Sequence, residues 1–229
     1  MPSVTEVLDY ATEPELMRWY RREGFAKCDR IGNEAKVIGT IVDETVQRIV
    51  QGKTGDGIPV KLPGPEVMNC LQAFSKFLTN HQGFIPSIKS LQAELRHGDL
   101  VGHPDFLIEE PHRWGIVDLK TSKRIYSKHW TQVAQYAFMQ ERLLRLAIQT
   151  VEARDSLSQA KLKECPQLFV AILRLDKESG QYEYVEVTDL AFIQSEVKMF
   201  DAYRMAYDHG TRVREFFRQQ HEEEVLGAS

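Results

Sequence analysis

The sequence predicts an α/β protein on three observations. Amphipathic helical segments open the chain, a block of apolar strands occupies its middle, and a helix, a hairpin and a last helix close it. With 229 residues and 42% hydrophobic content the chain is long enough for one sizeable core, so one domain is the default.

Ser3-Val4-Thr5-Glu6 and Thr12-Glu13-Pro14-Glu15 each fit a capping box, which predicts two short helices at the start. A longer helix is predicted from about Glu34 to Gln51, where Val37, Ile38, Ile41, Val42, Thr45, Val46 and Ile49 form a broad apolar stripe. Gly52 to Gly64, rich in Gly, Lys and Pro, reads as a loop, and Pro65 to Asn80 as the next helix. Phe84 to Arg96, Leu100 to Ile108 and Trp114 to Lys120 read as three successive strands. A helix from about Lys128 to Thr150 follows. Gln167 to Leu175 and Gln181 to Val187 form a hairpin around Glu178-Ser179-Gly180, and Leu190 to about Gln220 is the closing helix. The tail from His221 to Ser229 is expected to fray.

Composition excludes several classes. No apolar run reaches the roughly 20 residues that span a bilayer, and the N-terminus lacks a secretory or transit pattern. The chain therefore reads as soluble and intracellular. The three cysteines, Cys28, Cys70 and Cys165, are far apart, with no CxxC pair to suggest zinc, a cluster or a disulfide framework. A net charge of −4 argues against coating nucleic acid by bulk basicity, while leaving room for a local basic groove.

The strand Gly115-Ile116-Val117-Asp118-Leu119-Lys120 is apolar until it sets two opposite charges on one face, because side chains two residues apart point the same way. If Glu110-Pro111-His112-Arg113 is the connecting loop, Glu109 opposes Trp114, Leu107 opposes Ile116, and Asp105 opposes Asp118. Facing carboxylates repel and raise one another's pKa unless something positive intervenes, and a divalent cation reverses that interaction. Oxygen donors with no His/Cys cluster suit Mg²⁺ or Mn²⁺. Glu94 is a candidate third ligand. It shares the Asp105 face if the turn at His97-Gly98 is a two- or four-residue loop, and lies opposite if the loop has three. Glu34-Ala35-Lys36 and Glu196-Val197-Lys198 repeat the acid-any-lysine spacing, but on predicted helices, so the strand context separates Asp118-Leu119-Lys120 from them.

Gly102-His103-Pro104-Asp105, then Val117-Asp118-Leu119-Lys120-Thr121-Ser122, then Gln132-Val133-Ala134-Gln135-Tyr136 resemble the PD-(D/E)xK nuclease superfamily. The order and spacing match its RecB-like exonuclease branch, "G-x-x-D … D-x-K-T-S … Q-x-x-x-Y". The opening Pro2-Ser3-Val4-Thr5 and the helix with Gly39-Thr40 are similar to phage exonucleases of this branch and to the mitochondrial genome maintenance exonuclease.

The resemblance implies a restriction-endonuclease-like core, a central mixed β-sheet flanked by helices. The resemblance spans Pro2 to about Tyr136 and leaves the C-terminal part unassigned; the chain as a whole reads as one nuclease domain over 1–229, with a helical part at 1–80, the catalytic core at 81–150, a hairpin and helix at 151–220, and a flexible tail at 221–229. The resemblance implies Glu94, Asp105 and Asp118 as metal ligands with the Leu119 carbonyl as a further oxygen, Lys120 as the motif lysine, and Mg²⁺ or Mn²⁺ as cofactor. Where the branch usually carries a His after the helix Gly, this chain has Asp43, which is either a further oxygen ligand or a solvated helix charge. Three cysteines cannot make the four-cysteine iron-sulfur cluster of some relatives.

Gln132 and Tyr136, four apart, share a helix face, where Gln132 would reach Lys120 or a water and Tyr136 a phosphate or base. Lys123, Arg124, Tyr126, Lys128, His129 and Trp130 form a basic-aromatic cluster suited to a single strand, with His103 a further contact or a structural histidine. Arg18, Arg21, Arg22, Lys27 and Arg30 form a second basic stretch that reads better as a solvated face. The expected activity is a metal-dependent DNA exonuclease on single-stranded ends, in phage or bacterial recombination, replication or repair, located in the cytoplasm. An endonuclease of the same fold and a catalytically silent nucleic-acid-binding subunit are the alternatives.

Overall fold

The computed structural model describes residues 1–10, 14–52, 64–152 and 167–227. Its helices are α1 (Val4–Tyr10), α2 (Pro14–Glu23), α3 (Phe25–Val50), α4 (Pro65–Asn80), α5 (Phe84–Ser87), α6 (Ser127–Glu152) and α7 (Leu190–Gly227). Its strands are β1 (Ile88–Leu91), β2 (Leu95–His97), β3 (Leu100–Gly102), β4 (Phe106–Glu110), β5 (Arg113–Lys120), β6 (Gln167–Leu175) and β7 (Tyr182–Val187). Cys165, the capping-box residues Thr12 and Glu13, and most of the Gly52 to Gly64 loop lie outside the described residues.

Five strands form one mixed sheet in the order β1-β4-β5-β6-β7, parallel between β5 and β6 and antiparallel elsewhere. The α/β class with helices flanking a central mixed sheet is therefore the architecture observed. The helix α6 makes the crossover that a parallel neighbour requires. β5 is central, and its middle is buried on both faces, which is why it reads as an unbroken apolar run.

Each face of the sheet has its own core. Val117, Leu119, Phe106 and Phe169 pack under α3 and α4 with Val42, Val46, Phe74 and Phe77. Ile116, Val170 and Ile172 pack on the other face with Val4 and Val7 of α1, Val133 and Ala137 of α6, and Phe200 of α7. Burying each such aliphatic or aromatic side chain is worth about 1.5–3 kcal/mol. Strand alternation then places Asp118 and Lys120 on the Ile116 side, toward α6.

Three expected elements change. The helix expected from Glu34 starts at Phe25, immediately after Gly24, whose φ of 86° ends α2 and lets the chain restart; Val37, expected in its stripe, is 59% exposed. The strand expected over Phe84 to Arg96 is instead α5, β1 and β2, because Pro86 cannot donate to a ladder and Gln92 sits at φ 48°. The strand expected over Leu100 to Ile108 divides at His103-Pro104. Before that break β3 pairs with β2 in a separate two-stranded sheet, and after it β4 joins the central one. At the other end of the chain α7 runs through Gly227, so most of the tail expected to fray is helical.

Half of the first capping box forms. Glu6 N donates to Ser3 Oγ at 3.0 Å, while the Glu6 carboxylate accepts from Tyr207 OH at 2.6 Å, tying α1 to α7. Arg204 of α7 likewise reaches Asp99 in the β2–β3 turn at 2.6 Å.

Candidate active site

The register of the central hairpin is the expected one: Glu109 opposes Trp114 and Leu107 opposes Ile116, with Glu110 and Arg113 also paired across a tighter Pro111-His112 turn. Asp105 stands one residue before the ladder. Its Oδ2 accepts from the backbone N–H of Leu119 at 2.6 Å, which brings it beside β5 and level with Asp118.

Asp118 is 2% exposed, and its Oδ2 is ion-paired with the Lys120 ammonium without an ordinary hydrogen bond to any described residue. Burial pushes the Asp105 carboxyl well above its usual range, and the Asp118 charge adds to this against the opposing pull of Lys120. Burial alone would lower the Lys120 ammonium, but Asp118 and Asp105 outweigh it and raise its pKa. Lys120 Nζ also donates to Gln132 Oε1 at 2.9 Å, and Gln132 Nε2 donates to Tyr136 OH at 3.0 Å.

Asp118, Lys120, Gln132 and Tyr136 line one cleft of about 540 Å³ together with Asp105 and Asp43. That is the size of a small-molecule site, far larger than a bare ion needs. Asp43 lies on α3, where Gln47 Nε2 donates to its Oδ2 at 2.9 Å and its Oδ1 is buried with no hydrogen bond to a described residue. Burial raises the Asp43 carboxyl, the Gln47 hydrogen bond opposes this, and Asp118 raises it further.

The structure does not bring Glu94 into this group. The β2–β3 turn is the two-residue loop that parity requires, yet the Glu94 side chain is about half exposed and accepts from Arg96 Nε at 2.6 Å, with His103 Nε2 at 3.7 Å. Gln92 takes the inward place, its Nε2 lying 2.8 Å from Asp105 Oδ1 and 3.5 Å from Asp43 Oδ2. The pairing of Leu95 with Gly102 sets Glu94 opposite His103, and the break at His103-Pro104 separates that pair from Asp105, so strand parity does not carry across.

His103 is exposed and lines the cleft. The basic-aromatic cluster divides. Lys123 and Arg124 are exposed, Arg124 lies over the Tyr126 ring at 5.0 Å, and Lys128 is 3.9 Å from Asp9. His129 and Trp130 turn inward. His129 Nδ1 accepts from Tyr126 N–H at 3.2 Å, and Trp130 meets Phe192 edge to face at 5.9 Å. His129 is thereby buried and Trp130 half-buried. Sequence reasoning missed Gln92 and Thr5, whose Oγ1 accepts from Gln132 Nε2 at 3.2 Å.

Among the described residues no three His, Cys, Asp or Glu side chains stand at metal-binding geometry. The donor chemistry of Asp43, Asp105 and Asp118 nevertheless suits a hard divalent cation: carboxylate oxygens, mutually repelling acids, and the buried Asp43 Oδ1 without a hydrogen bond to a described residue.

No protein-family model matches the chain, and a search of curated proteins returned no match. A search of solved structures returned the crystal structure of an alkaline exonuclease, LHK-Exo, from Laribacter hongkongensis. It is similar at 12% identity over 94% of each chain, with a TM-score of 0.30. No described helix is long and apolar enough to cross a membrane.

Proposed function

We propose that this protein is a divalent-metal-dependent nuclease that hydrolyses phosphodiester bonds, acting as an exonuclease on single-stranded DNA ends. The observation that carries the reading is the convergence of Asp105, Asp118 and Lys120 from two adjoining strands into one cleft, with Gln132 holding the lysine. Buried acids that repel one another oppose folding, and an arrangement of this kind is explained by a cation they receive. The choice of an exonuclease rests on the resemblance of the motif order alone.

Asp105, Asp118 and the Leu119 carbonyl would hold Mg²⁺ or Mn²⁺, with Asp43 a further oxygen from α3. Bound there, the ion supplies an acidified water and neutralises charge on the scissile phosphate. Lys120 has a job that needs no ion: its ammonium, aimed by Gln132, donates to a phosphate oxygen or to the attacking water. Because Asp118 and Asp105 keep it protonated, it acts as a donor across the ordinary working range of pH. Lys123 and Arg124, exposed just past β5, are positioned to meet phosphates of the strand that enters the cleft.

The test is hydrolysis of an end-labelled oligonucleotide with Mg²⁺ or Mn²⁺, with chelator, Asp118→Asn and Lys120→Ala as controls. Loss of cleavage in all three controls with folding retained supports the reading, and full activity of Lys120→Ala removes it. Linear substrate consumed while circular single strands persist identifies the exonuclease. Cutting of circles identifies the endonuclease instead.

A further inference from the structure

Gln132 uses its whole amide. Lys120 Nζ donates to its Oε1 at 2.9 Å, while its Nε2 donates to Tyr136 OH at 3.0 Å and to Thr5 Oγ1 at 3.2 Å. Lysine offers no acceptor, so the Lys120 contact requires oxygen on that side of the amide, and the NH₂ group must face the two hydroxyls. The terminal torsion of glutamine is broad and two-fold, so losing one of these partners frees the amide to turn. Any such turn takes the oxygen away from the ammonium.

Thr5 is held in place by its surroundings. Ser3 Oγ caps the first turn of α1, Val4 beside it is fully buried, and Val101 N donates to Pro2 O at 3.3 Å. The Tyr207–Glu6 hydrogen bond braces the same turn from α7. An acceptor on the opening turn of the chain thus meets a side chain 127 residues away on α6.

We infer that Thr5 is a positioning residue of this site, its hydroxyl locking the Gln132 amide so that the amide oxygen aims the Lys120 ammonium into the cleft. What the ammonium does there rests on the nuclease reading. The positioning itself does not.

Thr5→Val keeps the β-branch and removes the acceptor, and Thr5→Ser restores the acceptor without the methyl group. Two readouts are compared across wild type and both variants: kcat and KM for oligonucleotide hydrolysis, and the NMR signal of the Lys120 side-chain ammonium, assigned with Lys120→Ala. Losing one hydrogen bond of ordinary strength predicts that Thr5→Val lowers kcat about tenfold at unchanged KM and that Thr5→Ser returns it to within about twofold. The Lys120 signal should broaden in Thr5→Val and sharpen again in Thr5→Ser. An unchanged kcat and an unchanged signal in Thr5→Val overturn the positioning while leaving the nuclease reading intact, and so does failure of Thr5→Ser to restore either. A wild type that hydrolyses nothing, but whose Lys120 signal changes in Thr5→Val alone, supports the positioning and sinks the nuclease reading. Should Thr5→Val not fold, Thr5→Ala serves in its place, with the thermal midpoint measured beside each variant.

Discussion

The backbone N–H of Leu119 donates to Asp105 Oδ2 at 2.6 Å, tying the first acid of the site to the strand that carries the second acid and the lysine. Asparagine at 105 keeps an oxygen for that N–H and loses the charge, while its NH₂ group faces Gln92, whose amide must turn its own oxygen inward to accept it. Because burial, and then Asp118, raise the Asp105 carboxyl in the folded chain, its ionised form opposes folding. That penalty is absent below the ordinary value of 3.8, where the acid is protonated folded or unfolded; it grows as pH rises from there and levels off above the folded pKa. Asp105→Asn in chelator should therefore raise the urea midpoint, most at alkaline pH and not at all in strong acid. Metal-dependent cleavage should fall by more than about 100-fold, as expected when a metal's charge stabilisation is lost. A midpoint gain independent of pH would contradict the electrostatic account.

The central hairpin was legible because alternation and a short turn together leave few registers open, and Glu109 and Leu107 meet the partners that counting assigns. Glu94 was not legible in the same way. Counting parity assumes an uninterrupted strand, and the break at His103-Pro104 interrupts it before Asp105 is reached. The stretch Lys123 to Trp130 shows the limit of composition: basic and aromatic residues alternate along it, but the helix that starts at Ser127 turns His129 and Trp130 into the protein. Thr5 stands in the Pro2-Ser3-Val4-Thr5 opening, but its contact was not legible there, since its partner Gln132 is reached only through the tertiary fold.

Gly102 lies against Tyr136 so closely that a methyl group there would sit 2.6 and 2.8 Å from two ring carbons. The ring is 3% exposed, with no room to retreat. Gly102→Ala should cost about 1–3 kcal/mol of stability as overpacking and lower kcat by moving Tyr136 away from Gln132. In a Tyr136→Leu background the same alanine should cost measurably less, a coupling that a double-mutant cycle on urea midpoints would detect.

His129 is 7% exposed, and its Nδ1 accepts from Tyr126 N–H, which requires a neutral ring. Burial, with the Lys120 and Lys128 charges, lowers its pKa from 6.5 to about 3. The unfolded chain therefore takes up a proton near the ordinary value while the folded chain resists it. Stability from this residue is complete at neutral pH and is lost as pH falls, by about 2 kcal/mol at about pH 5. His129→Asn, which keeps an acceptor near the Nδ1 position without titrating, should flatten that part of the stability profile. An unchanged acid slope in the variant would assign the loss to other groups.

Gln92 holds the gap between two acids with a single NH₂ group, 2.8 Å from Asp105 Oδ1 and 3.5 Å from Asp43 Oδ2, at a backbone φ of 48° that few side chains adopt. In the absence of a cation this donor is what relieves the pair. Replacing it with a carboxylate makes three acids share the gap, so Gln92→Glu should lower the thermal midpoint in chelator. The same change adds an anionic oxygen ligand, and a ligand bound only by the folded state raises the midpoint through its own affinity. Mn²⁺ should therefore shift the midpoint of Gln92→Glu further than that of wild type, whereas Gln92→Leu, which removes the donor without adding a charge, should show no such gain. Equal Mn²⁺ shifts in wild type and Gln92→Glu would mean that no cation enters between Asp43 and Asp105, and any ion would then have to be held by Asp105 and Asp118 alone.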